Sequence, residues 1–260
     1  MQFPGKSPLI RAGTGLAFVG GFMDALTFLF IGGVFSGMMT GNLILLGVGL
    51  VAPQVSFIHP WVNAIAIGAF VLGVALAGLL PFRPGRGRAL VAAEIILLSC
   101  AAAALFSTGP AQVSASGTVT HSTGTVIAIV CAAGAMGIQT TLINRIGSVP
   151  VSTTFMTSTL IRIVTDFTGR TAACIHRNAG PVVSRSSHEG KAAVSAGSCA
   201  GVLIPILGAF FIGAVSSALL TVTFGYASLS LPVAALVILA VTWDDVKAAQ
   251  LQGDEPGQRS

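Results

Sequence analysis

Residues 34–50 read VFSGMMTGNLILLGVGL. The run is apolar enough to sit in a membrane, yet Ser36, Thr40 and Asn42 interrupt it, with glycines on both sides. It is either a transmembrane helix that carries polar side chains or a broken segment that holds something polar inside the bilayer. The rest of the chain has to decide between them.

Composition settles the solvent. Of the 260 residues, 53% are hydrophobic and only 8% charged, and mean hydropathy is +0.89. Soluble domains carry roughly 25% charged residues, so the sequence predicts an all-α integral membrane protein. Thirteen Lys and Arg against eight Asp and Glu give +5, but the basic residues lie in short inter-helix loops. There they orient helices, and no nucleic-acid motif accompanies them.

Six apolar runs, near 15–35, 61–80, 89–106, 124–144, 197–220 and 227–243, meet the requirement of about 17–25 helical residues per crossing. Two shorter or more polar runs remain, 37–52 and 150–169. Charge chooses between six spans and eight. With six, the loops 36–60, 107–123 and 221–226 share one side and contain no Lys or Arg. Residues 1–14, 81–88, 145–196 and 244–260 share the other and hold all thirteen. The positive-inside rule then predicts a bacterial inner (plasma) membrane protein with both termini cytoplasmic. With eight spans, Arg83, Arg86 and Arg88 would face outward. The first run lacks a small-x-small cleavage site and reads as a retained span.

The halves rhyme. IGAFVLGVALAGLL (67–80) aligns without gaps on LGAFFIGAVSSALL (207–220), MTGNLILL (39–46) on MTSTLIRI (156–163), and FMDAL (22–26) on IQTTL (138–142). The expected organisation is a cytoplasmic N-terminus (1–14), a first membrane repeat (15–106), an extracytoplasmic loop (107–123), a second repeat (124–243) with a basic linker near 171–193, and a cytoplasmic tail (244–260). Three full spans per copy make the repeats inverted, a construction common among transporters. A duplicated bundle with no transport role is the plainer reading.

Within each repeat the interrupted segment reads as re-entrant. A backbone break in a bilayer is tolerable only where protein or a water-filled cavity satisfies it. Thr40-Gly41-Asn42 is expected to supply break and cap together, with Thr40 or Asn42 accepting from free N–H groups of the next helix. The resulting helix N-terminus suits a polar or anionic solute. Thr153, Thr154, Thr157 and Thr159, after Pro150, form the matching hydroxyl cluster. Taken singly, such hydroxyls usually pack and bond their own helix.

Intramembrane ionisable residues are rarer and more telling. Asp24, inside the first span, is the leading candidate for a proton or cation carrier or a substrate partner. Glu94, about two turns into the third span, either shares that role or pairs with Arg86 or Arg88 at the interface. Arg162 and Asp166, four apart, can pair along one helix face. Gln139, Asn144 and Arg145 make a polar end to the fourth span, with Gln139 a further substrate contact.

Other chemistry is not expected. His59 and His121 fall in outward loops, His176 and His188 in the linker, and none has a partner at metal-ligand spacing, so a surface role outranks a zinc site. Cys100, Cys131, Cys174 and Cys199 form no CxxC pattern. No nucleotide-binding glycine motif, nucleophile triad or acid–base–metal constellation is present, so neither a cofactor nor an enzymatic role is expected.

GFMDALTFL (21–29), VFSGMMTGNLILLG (34–47), GIQTTLINRIG (137–147) and VSTTFMTSTLIRI (151–163) together resemble the YoaK-like family of bacterial membrane proteins, a domain of unknown function. The resemblance runs from about residue 12 to 243. Where a second Met-Thr-Gly is expected, the chain has Met156-Thr157-Ser158, which loses glycine's freedom. The resemblance implies a multi-spanning inner-membrane protein and names no substrate.

The leading expectation is a secondary transporter or facilitator of a small polar solute, proton- or cation-coupled, with Asp24, Thr40, Asn42, Gln139, Thr154 and Thr157 at the solute and the inverted halves alternating access. A channel lined by paired half-helices and a non-transport scaffold are the alternatives. Partners are the lipid bilayer and the solute. The glycine faces at Gly68/Gly73 and Gly208/Gly213 can pack within the chain or between copies of it as a homo-oligomer.

Overall fold

Lipid offers no hydrogen bonds, so an apolar chain must satisfy its backbone internally, and helices do so within one segment. The computed structural model describes residues 7–52, 59–79, 86–108, 112–113, 119–146 and 200–246, with helical positions at 160, 161, 164, 168 and 248. Its helices are α1 (Ser7–Leu26), α2 (Met39–Val51), α3 (Pro60–Leu79), α4 (Arg86–Thr108), α5 (Thr123–Ile146), α6 (Ala200–Phe224) and α7 (Ser230–Val241). A π-helical turn, Thr27–Gly32, prolongs α1, and a 3-10 turn, Gly225–Leu229, joins α6 to α7. Between α4 and α5, strands β1 (Gln112–Val113) and β2 (Val119–Thr120) form a minimal antiparallel pair.

Among the described residues five helical stretches are long and apolar enough to cross a membrane: Pro8–Gly32, Pro60–Leu79, Arg86–Thr108, Thr123–Asn144 and Leu203–Val241. The last contains α6 and α7 with the bend at Gly225 between them. The expected runs are therefore helices, although α1 begins well before position 15. The segment 37–52 contains a shorter apolar helix. α2 has 13 residues, about 20 Å of helix, against a hydrocarbon core of about 30 Å.

Packing sorts the helices into inner and outer. α1 and α5 are the most enclosed, with 61% and 67% of their apolar windows buried, against 33% for α3, 33% for α4 and 28% for the α6–α7 stretch. α1 lies chiefly against α6 and α5 against α3 and α4, while α2 rests on α3 and α7 closes against α4 and α1. The outer helices expose Val71, Leu72, Leu76, Ile96, Phe211, Ile212 and Leu219, as a surface facing hydrocarbon requires.

Two close crossings use positions that the internal alignment makes equivalent. A Cβ on Gly73 would collide with the Gly134 carbonyl, and one on Gly137 with the Phe70 carbonyl, where α3 crosses α5. Where α6 crosses α1, Gly213 meets the Phe18 carbonyl and Gly21 the Phe210 carbonyl in the same way. Small residues let membrane helices approach backbone to backbone. Each half thus presses its first helix onto the third element of the other half.

Candidate functional site

The site grows out of a helix that cannot continue. At the end of α1, Thr27 turns its hydroxyl back onto the Met23 carbonyl at 2.9 Å and the Asp24 carbonyl at 3.3 Å, and the chain widens into the π turn. Hydroxyls that bond back in this way bend helices, and π turns concentrate at functional positions. Gly33 ends the turn at φ 66, its N–H reaching the Phe28 carbonyl. Only glycine adopts that left-handed conformation without a steric penalty.

Two side chains clamp the segment 33–38 that follows. Asp24, 5% exposed, accepts the Gly37 N–H at 2.6 Å and the Ser36 hydroxyl at 3.1 Å. Asn42, fully buried, grips Phe35 from the other side: its Oδ1 accepts the Phe35 N–H at 2.8 Å and its Nδ2 donates to the Phe35 carbonyl at 2.6 Å. The Phe35 ring stacks on Phe28 at 4.5 Å, in space that a Cβ on Gly41 would fill. Tyr226, from the 3-10 turn, donates through Oη to the Phe30 carbonyl at 3.2 Å.

The break therefore lies at 33–38, upstream of Thr40-Gly41-Asn42, which is helical. Met38 is the N-cap of α2, and no side chain caps it. Asn42 spends its amide on Phe35 instead, and Thr40 is exposed. The carboxylate of Asp24, brought from another helix, does what a local cap was expected to do. It draws N–H and O–H groups just ahead of a helix start, where negative charge is favoured.

Two more buried polar groups stand apart from this clamp. Gln139 donates through Nε2 to the Leu16 carbonyl at 2.6 Å, tying α5 to α1, while its Oε1 has no partner among the described residues. Glu94 is fully buried, and neither carboxyl oxygen has a partner among the described residues. It occupies the middle of the inward stripe of α4, formed by Gly87, Leu90, Val91, Glu94, Leu98, Ala101 and Leu105. Its expected interfacial pairing with Arg86 or Arg88 does not form. Arg88 reaches Asp244 at 4.0 Å instead, and Glu94 is enclosed within the packed seam. Thr154, Thr157, Arg162 and Asp166 lie outside the described residues, as does the 171–193 linker.

With this geometry in place the chain can be set beside known proteins. Residues 12–242 match the family described as "Protein of unknown function (DUF1275)". The chain belongs to that family. It is also similar to the UPF0700 transmembrane protein YoaK of Bacillus subtilis (strain 168), at 28% identity over 162 residues. That match spans 60% of this chain and 65% of YoaK, just under two thirds of the relative's length. No solved structure matches. This DUF1275 protein is accordingly a multi-pass bacterial membrane protein.

Several contributors to the DUF1275 site carry weak sequence signals. Gly37 acts through its backbone N–H, and Phe35 and Phe28 look like ordinary lipid-facing aromatics. The histidines are brought together despite their separation in the chain: the His59 and His121 rings lie 4.9 Å apart, nearly perpendicular, and Trp61 stands 5.6 Å from His121. Among the described residues no three His, Cys, Asp or Glu side chains gather into a metal-binding group.

Proposed function

We propose that this DUF1275 protein is a secondary transporter or facilitator for a small polar solute. In this reading six spans form two inverted halves, both termini are cytoplasmic, and α2 is a re-entrant half-helix. The protein moves a solute and performs no bond chemistry.

The observation that carries the proposal is the use made of Asp24. A buried carboxylate is costly in a membrane and usually serves a pathway. Here no cation pairs with it among the described residues, and neutral donors of the broken segment hold it instead. An ionised carboxylate accepts such bonds strongly. Once protonated, or once its oxygens turn to a cation or to donor groups of a solute, it holds Ser36 and Gly37 less well. Segment 33–38 is then free to shift together with α2, which Asn42 ties to Phe35 as one piece. Proton or cation occupancy at Asp24 thereby biases a discrete rearrangement, as coupling requires.

Glu94, in the α4 seam, is a second carrier of charge in this scheme. Gln139, with an idle carbonyl oxygen beside α1, is a solute contact. Thr40, Thr154 and Thr157 line the route from their respective halves, and Arg162 with Asp166 forms the companion ion pair.

Proteoliposomes carrying an internal pH-sensitive dye test the proposal, challenged one at a time with amino acids, sugars and small organic acids. A saturable, solute-dependent proton flux that Asp24→Asn abolishes, with membrane insertion unchanged, supports coupled transport. Rapid, unsaturable flux that survives Asp24→Asn points to a pore. Absence of flux with every solute class leaves the scaffold reading.

A further inference from the structure

The pair His59 and His121 is not used by the mechanism above, and its geometry is specific. His59 precedes α3, where its carbonyl accepts the N–H groups of Val62 and Asn63 and the Asn63 Nδ2. His121 follows β2 and precedes α5. The imidazoles lie 4.9 Å apart between centroids at an interplanar angle of 86°. His121 also lies directly over Gly32, the last residue of the π turn, where any Cβ would strike its Cε1.

Three ring nitrogens at this junction are enclosed and have no hydrogen-bond partner among the described residues: His59 Nε2, His121 Nδ1 and His121 Nε2. The Asn63 Oδ1, on the first turn of α3, is likewise enclosed without a partner. Buried polar atoms are nearly always bonded, and the exceptions call for a cause. A neutral imidazole keeps a lone pair, the form in which histidine binds metals.

We propose that His59 and His121 form a binding site for a late divalent transition metal, each supplying one imidazole nitrogen, with water completing the coordination. Metal–nitrogen bonds of about 2.0–2.1 Å place two imidazoles on one tetrahedral ion with centroids roughly 5 Å apart, close to the observed separation. Imidazole donors suit Cu²⁺, Ni²⁺ and Zn²⁺, and the Irving–Williams order makes Cu²⁺ the tightest. A metal here would fasten the starts of α3 and α5 to the end of the π turn that leads into the break. This site does not depend on the transport reading.

Trp61 provides the readout, because bound Cu²⁺ quenches a nearby indole. Full-length protein in nanodiscs is titrated with CuCl₂ while tryptophan emission is followed. The expected result is saturable quenching, reversed by EDTA and competed by Zn²⁺, lost in Trp61→Phe and weakened at least tenfold by His59→Gln and by His121→Gln separately. The single variants each retain one imidazole and the packing around it, and size-exclusion elution confirms that they are folded. A thermal-shift titration gives an independent measure, since a ligand bound only by the folded state raises Tm. Quenching of equal affinity in the His59→Gln/His121→Gln double variant, which keeps His176 and His188, overturns the site, as does purely linear quenching of the wild type.

Discussion

Asp24 and Asn42 both hold the segment 33–38 but by different chemistry, and substitution separates them. Asn42→Ala leaves the N–H and C=O of Phe35 unpaired in a dry place, which costs about 1–3 kcal/mol and should lower Tm in detergent. Asn42→Asp retains an acceptor for the Phe35 N–H but cannot donate to its carbonyl, so it should fail to restore stability. If Asp rescues fully, the reciprocal bond is unimportant. For Asp24→Asn the loss of a charge-assisted bond is about 1.5–3 kcal/mol at most, seen in the same melts. His121 gives the pH dependence. Its folded-state pKa lies below its unfolded value, so between about pH 4 and pH 6.5 the unfolded chain binds more protons and stability falls with acidification. Wild-type Tm should drop on moving from about pH 7 to about pH 5, and His121→Gln should flatten that drop. Asp24 was legible from the sequence because a lone carboxylate in an apolar span stands out. Its partners were not, since Gly37 contributes only a backbone N–H and Ser36 is an ordinary small polar residue. The histidine pair escaped for a related reason: metal-ligand spacing is a local pattern, and these rings meet through tertiary packing.

At the scale of elements, hydrophobic run length located the helices because a bilayer imposes a minimum length on any crossing. It misplaced the break. Thr-Gly-Asn has the composition of a helix interruption, but glycine tolerates a helix, and Asn42 found its bonds seven residues upstream rather than at a helix end. The actual interruption depends on the positive φ of Gly33. Gly33→Ala should therefore cost about 1–2 kcal/mol, whereas Gly41→Ala should act mainly by pressing on the Phe35 ring. The helix crossings allow a sharper comparison. Gly73→Val and Gly213→Val each force a branched side chain against a facing backbone carbonyl, with overpacking costs of about 1–3 kcal/mol. Because the two crossings employ corresponding residues, the Tm losses should be similar. A large loss for one and none for the other would mean that the halves are packed by different rules.

For the whole molecule, the proposed three spans per copy would turn sequence similarity into opposed orientation. MTGNLILL and MTSTLIRI align so that Thr40 corresponds to Thr157. Two copies of one unit inserted in the same sense would present these positions to the same compartment. Inverted insertion places Thr40 on the extracytoplasmic side and Thr157 on the cytoplasmic side, which is the geometry that rocking one half against the other requires. The distribution of Lys and Arg predicts this orientation, and the reciprocal crossings of α1 with α6 and α5 with α3 fit it. Cysteine labelling in intact cells tests it, in a background where Cys100, Cys131, Cys174 and Cys199 are replaced by serine. Thr40→Cys should react with a membrane-impermeant maleimide added outside, and Thr157→Cys only after permeabilisation. Should both positions react from the same face, the halves share one orientation and the inverted arrangement proposed here is wrong, while the metal site at His59 and His121 is unaffected.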